Sequence, residues 1–156
     1  MKKSIYIILS SLILFSCSTK NKENNITTFY KTKWHPQCSG NSIYKEINPV
    51  YEGDTLITET LPVYKLDDIV MGTYDLIKID TQGSELDIIR GGMDTFSKAK
   101  VIICEVALVD INIGGCKKED VMNVLTKELK FDYIRCIESI TNGQQITYEN
   151  LLFIRT

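Results

Sequence analysis

Metal-binding spacing is missing from this sequence. Its five cysteines, at positions 17, 38, 104, 116 and 136, form no CxxC or related pattern. Their odd number argues against a complete disulfide framework, and Cys104, inside an apolar run, reads as a small core residue. Strong basic patches are missing too. The formal net charge is −2, so nucleic acid is not favoured as a partner. No apolar stretch reaches the roughly 20 residues that span a bilayer as a helix. No repeat or low-complexity tract appears beyond an Asn/Lys-rich stretch near the start. What is present is ordinary for a globular protein: 156 residues, 44% hydrophobic and 24% charged. That is one domain with a real core, plus room for a leader.

Residues 1–17 read apart from the rest. Lys2 and Lys3 precede an apolar run from Ile5 to Phe15, and Leu14-Phe15-Ser16-Cys17 follows. This is the layout of a bacterial secretory signal, ending in a lipobox-like tetrapeptide. On that reading Cys17 becomes a lipidated N-terminus that anchors the protein to a membrane, and residues 18–25 form a polar tether. The competing reading makes Ile5 to Phe15 a buried strand of the domain, with a cytoplasmic protein.

The most structured stretch is YDLIKIDTQGSELDIIRGG, Tyr74 to Gly92. Leu76, Ile77 and Ile79 form a short β-prone run closing at Asp80. Thr81-Gln82-Gly83-Ser84 is a polar corner in which Thr81 or Ser84 can serve as helix N-cap. Glu85 and Asp87 suit the first turn of the following helix. Leu86 and Ile89 share a face, and Gly91-Gly92 predicts a left-handed stop. Ligands of open α/β sheets bind beyond the carboxyl ends of strands, so Asp80, Gly83 and Glu85 sit at a candidate working edge.

Elsewhere, 26–32 and 56–66 read as strands. Residues 33–49 read as a loop that holds the only tryptophan and the only histidine, Trp34 and His35. They are candidate substrate contacts, with a solvent-facing loop as the bland reading; His35 and Cys38 alone are weak as metal ligands. Asp67 and Asp68 precede Ile69-Val70-Met71, and Asp67 reads as the cap of a short helix there. Val101 to Ala107 is a second buried strand, broken by Glu105. Buried charge costs several kcal/mol in order of magnitude unless paired, so Glu105 belongs at the strand's C-terminal edge or beside a partner. Parallel order puts it next to Asp80. Glu119 to Leu129 forms an amphipathic helix, and Tyr133–Ile137 and Tyr148–Arg155 form a hairpin around Asn142-Gly143.

LDDI at Leu66–Ile69, the KIDTQGSE core with its RGG ending, and VIICEV at Val101–Val106 together resemble the FkbM-type methyltransferases, over about Thr27 to Thr156. The resemblance implies a Rossmann-like fold, S-adenosylmethionine (SAM) as methyl donor, and O-methylation of a hydroxyl-bearing small molecule or sugar. The Gly-rich donor loop that the family carries upstream has no counterpart: Gly91-Gly92 ends a helix and Gly114-Gly115 lies in a loop. The expected fold is therefore α/β, an incomplete Rossmann-like methyltransferase domain over 26–156, truncated at its N-terminus. Its sheet should be mostly parallel, flanked by two helices and closed by the antiparallel hairpin. An exposed sheet edge where strands are missing favours association. Asp80, Glu85 and Glu105 are the candidate catalytic residues, as base or as a carboxylate cluster; a divalent metal held by the three is the second option.

Overall fold

The computed structural model describes residues 3–8, 14–15, 26–32, 42–46 and 56–156. The first strand, β1 (Ser4–Ile8), falls inside the expected leader. β2 (Leu14–Phe15), β3 (Ile26–Thr32) and β4 (Leu56–Tyr64) follow, then α1 (Leu66–Ile69), β5 (Leu76–Asp80), α2 (Glu85–Gly91), α3 (Met93–Ser97) and β6 (Val101–Ala107). Next come α4 (Lys118–Asn123), which runs on into a π-helical turn at Val124–Glu128, and the pair β7 (Asp132–Asn142) and β8 (Gln145–Ile154).

The architecture is α/β around a five-stranded sheet in the order β1-β5-β6-β8-β7. β1, β5 and β6 are parallel, whereas β8 runs antiparallel to both β6 and β7. The sheet is thus mixed rather than mostly parallel: the hairpin contributes half of its strand pairings. A second sheet, β2-β4-β3, was not anticipated as a separate layer. Its β3 lies antiparallel to β4 from Ile26↔Pro62 to Thr32↔Leu56.

Alternation explains the core. Ile77, Ile79, Ile102, Cys104, Leu151 and Phe153 are completely buried and share one face of the sheet through the pairs Ile77↔Ile102↔Phe153 and Ile79↔Cys104↔Leu151. Ile88, Ile89, Phe96, Val121, Val124 and Leu125 from the helices close over that face. Each such side chain contributes about 1.5–3 kcal/mol by leaving water. Cys104 is a packing residue, and burial pushes its thiol well up, so it is no nucleophile. Ile5 of β1 packs against the same core, and β1 follows β5 in unbroken register from Ser4↔Leu76 to Ile8↔Asp80. Those five residues are built as a strand of the domain.

Two local expectations need correction. Gly91-Gly92 is no left-handed stop: Gly91 is the last residue of α2, and Gly92 has φ −127° as the joint between α2 and α3. Glycine is needed at 92 for space, because a Cβ there would lie 2.6 Å from Leu66 Cδ2. The helix expected after the corner is α2, and a further short helix, α3, follows it directly, so that four short helices rather than two accompany the sheet among the described residues. Asp67, expected to cap its own helix, caps α3 instead. Its carboxylate accepts from the amides of Asp94 at 3.0 Å and Thr95 at 2.8 Å, and from the Thr95 hydroxyl at 2.6 Å. These amides belong to the first turn of α3, whose own N-cap is a glycine with no side chain to offer.

Replacing Asp67 with Ala should cost about 1–2 kcal/mol in urea unfolding, the range of a lost charged cap. A change below about 0.3 kcal/mol would show that water replaces the carboxylate without loss.

Candidate functional site

The carboxyl end of β5 turns through Thr81–Ser84 into α2 with two successive residues of positive φ, Gln82 at 53° and Gly83 at 100°. Such a turn points backbone amides inward, and Glu85 gathers them. Its carboxylate accepts from Thr81 N at 2.9 Å, Thr81 Oγ1 at 3.0 Å and Gly83 N at 3.0 Å, and from the Cys116 thiol at 3.2 Å. Burial raises its pKa, and the hydrogen bonds draw it back down. A hydroxyl cap is not used at this helix start: Ser84 donates to Thr81 O instead, at 3.1 Å. One carboxylate with two oxygens satisfies more converging amides than a hydroxyl does.

Gly83 is required twice. Its φ suits glycine, and a Cβ would lie 3.0 Å from Asn112 Cβ and 3.3 Å from Gly115 Cα. The loop after β6 closes directly on this glycine, with Cys116 N donating to Gly83 O at 2.9 Å.

Asp80 and Glu105 come together as their parallel strands predict. Ile79 pairs with Cys104, so the next residues are neighbours. Gln82 bridges them, its amide nitrogen 3.0 Å from Glu105 Oε2 and 3.5 Å from Asp80 Oδ1. Glu105 is 7% exposed. Burial, and then the charge of Asp80 beside it, push the Glu105 carboxyl up to about 8, so it keeps its proton at neutral pH. Lys78 lies 3.4 Å from Asp80, whose side chain is 24% exposed and reaches solvent. The third candidate, Glu85, shares the edge but has its oxygens committed inside the turn.

Three further residues hold this corner. Gln82 lay inside the recognised motif, but a neutral amide carries no titratable signal. Ser42 is fully buried, pairs with Tyr30 of β3 and donates from Oγ to Gln82 O at 2.8 Å. Tyr44 donates to Asp87 at 2.6 Å, and burial raises its phenol. Nothing local in the sequence marks contacts that span forty residues.

A cavity of about 320 Å³ opens beside Gly83 and is lined by Leu108, Asn112, Cys116, Lys117 and Lys118 among others. Its walls are part apolar and part charged, with Asp110 and Glu119 beside the two lysines. Lys117 pairs with Asp110, and Lys118 with Glu149 at 2.6 Å. Burial and then Glu85 raise the Cys116 thiol, which makes it a hydrogen-bond donor rather than a nucleophile.

Among known proteins, the methyltransferase FkbM domain matches residues 6–133. The chain belongs to the FkbM methyltransferase domain family. No curated protein and no solved structure matches it. The family match begins at residue 6, within β1, well before the Thr27 at which the motif resemblance starts.

Of the remaining candidates, Trp34, His35 and Cys17 lie outside the described residues. No group of three potential metal ligands assembles among the described residues. The metal option fails on geometry: Glu85 gives its oxygens to amides and a thiol. The SAM donor does not fit the described residues either. Positive-φ glycines occur at 72, 83, 114 and 143, none of them at the end of β1, and the sequence has no glycine before Gly40. No step can be routed through the donor here.

The Glu105 pair has a consequence for stability. In the native state Glu105 holds its proton up to about 8, whereas the unfolded chain loses it near the ordinary 4.5. Between those values the native state binds more protons, so stability falls as pH rises. Glu85 acts in the same direction. Melting temperatures from pH 5 to 8.5 should fall steadily for the wild type and less for Glu105→Gln. Parallel curves for the two proteins would refute the assignment.

Proposed function

We propose that this FkbM-family chain is a SAM-dependent O-methyltransferase-like domain that carries the acceptor side of the site and is weak or inactive in methyl transfer alone. The observation that carries this reading is the Asp80–Glu105 pair, two carboxylates brought together at a strand-end edge by parallel register and bridged by the Gln82 amide; burial and the Asp80 charge raise the Glu105 carboxyl. Removing the proton of an attacking hydroxyl needs an acceptor of that kind within hydrogen-bond reach. Asp80, the more exposed member, would take the proton. Glu105 stays neutral and keeps the pair from carrying two charges in one buried place. Gln82 fixes their spacing, and Lys78 balances Asp80. A hydroxyl-bearing small molecule or sugar would lie at the strand-end edge within reach of Asp80, beside Gly83, and Trp34 and His35 are further candidates for contacting it. The residues described here would orient the hydroxyl and hold its proton. The missing glycine turn after β1 supports the second half of the reading, that a donor-binding part has to come from elsewhere.

Isothermal titration of the purified chain with SAM should give heats no larger than dilution. Micromolar affinity would overturn the proposed dependence on another donor-binding part.

A second reading, a non-enzymatic lipid-anchored protein that retains a remnant of the fold, is favoured by the lipobox-like Leu14-Phe15-Ser16-Cys17. The strand pairing of Ser4–Ile8 weighs against it. If the anchor exists, palmitate labelling in bacterial cells should be present in the wild type and lost in Cys17→Ala. Unlabelled wild-type protein would eliminate this reading.

A further inference from the structure

One row of side chains crosses the main sheet at the carboxyl ends of its parallel strands. Asp80 of β5 neighbours Glu105 of β6, Glu105 pairs with Asn150 of β8, and Asn150 pairs with Glu138 of β7. Side chains paired across strands share a face, with Cβ atoms about 5 Å apart, so each meets the next. The extra residue that β7 carries at Ile137 brings Glu138 opposite Asn150. Bulges re-aim side chains in this way.

Asn150 is only 3% exposed, and its amide has one orientation. The Asn150 nitrogen donates to Glu138 Oε2 at 3.0 Å. A carboxylate accepts hydrogen bonds, so this contact fixes which arm of the amide is nitrogen. With the nitrogen committed to β7, the oxygen is the arm left for β6, where Glu105 stands opposite. Asn150 Oδ1 is buried and has no donor among the described residues. Native proteins seldom leave a buried acceptor in that state.

Glu105 can supply the donor. Its Oε2 accepts from the Gln82 amide at 3.0 Å, which leaves Oε1 for the proton that burial and the Asp80 charge retain. Asp80 lies within hydrogen-bond reach and competes for that proton. Both Asp80 oxygens already face donors, however, Gln82 at 3.5 Å and Lys78 at 3.4 Å. Asn150 Oδ1 faces none. The charged groups acting on Glu105 are Asp80 and Lys78 from β5 and Glu85 from α2, with Glu138 of β7 beyond Asn150.

We propose that Asn150 is a positioning residue of the carboxylate pair: its amide oxygen, aimed by Glu138, accepts the hydrogen bond of the Glu105 carboxyl and leaves Asp80 open to a substrate hydroxyl. Only the last clause rests on the methyl-transfer reading; the hydrogen bond does not. Carbon-13 and nitrogen-15 NMR titration of the Glu105 carboxyl and the Asn150 side-chain amide, in the full chain, reads the hydrogen bond without activity. An acceptor for the protonated form helps to hold the proton. Asn150→Leu should therefore lower the Glu105 midpoint from about 8 by about 0.5–1 pH unit, roughly a three- to tenfold loss of proton affinity. More apolar surroundings alone would raise the midpoint, so the direction separates a lost hydrogen bond from altered packing. In Glu138→Gln a carbonyl still accepts from the Asn150 nitrogen, and Glu138 no longer titrates. There the Asn150 amide resonances should move in step with Glu105, a measurement that stands even if Asn150→Leu fails to fold. An unchanged or raised midpoint in folded Asn150→Leu, or Asn150 resonances that stay flat through the Glu105 titration, would overturn the proposal.

Discussion

The buried carboxylate of Glu85 is the interaction on which the rest of the site depends. Two positive-φ residues in a row, one of them not glycine, cost backbone energy, on the order of 1–2 kcal/mol for Gln82 alone. They persist because the turn they create aims amides at one acceptor that is shielded from water. The loop after β6 then closes over the same group through Cys116. Substituting an apolar side chain at 85 would leave several buried donors without a partner, each worth about 1–3 kcal/mol. Charge at this position therefore serves shape first, and the proton chemistry falls to the neighbouring carboxylates.

Those neighbours owe their arrangement to strand register rather than to the turn. Parallel pairing of β5 and β6 fixes Asp80 beside Glu105 whatever the loops do. The turn contributes Gln82, whose amide reaches both, and Ser42 holds the Gln82 carbonyl from the other sheet. The buried Ser42 hydroxyl thus ties the corner to the segment that bridges β3. A carboxyl that titrates near 8 sits where two packing systems meet, which is how burial and a like charge act on it together.

The strands and the corner were legible in the sequence because their signals are local. β3 covers Ile26–Thr32 as its alternation indicates, and β5 ends at Asp80 where the apolar run stops. The adjacency of Asp80 and Glu105 followed from strand order alone. What was not legible depends on contacts distant in sequence. Asp67 caps a helix 27 residues on, and only packing against Leu66 explains Gly92. The amphipathic stretch after Lys118 shows helical periodicity, but periodicity does not distinguish an α-helical turn from the π-helical one at Val124–Glu128. Residues 4–8 fit two patterns at once, since a short apolar run serves as the middle of a signal or as a buried strand.

β1 supplies the outer partner of β5, and Ile8 lies opposite Asp80, so the chain leaves β1 beside the carboxylate pair. Cleaving residues 1–16 would strip β1 and β2 and leave the backbone of Leu76–Asp80 unpaired along one side. It would also uncover the core at Ile5. A strand in this position therefore binds the first residues to the working edge. The stretch that follows it, Leu9-Ser10-Ser11, brings neither glycine nor acid. The edge thus brings Asp80 and Glu105 together on its β5–β6 side, an arrangement that follows from sequence and register together.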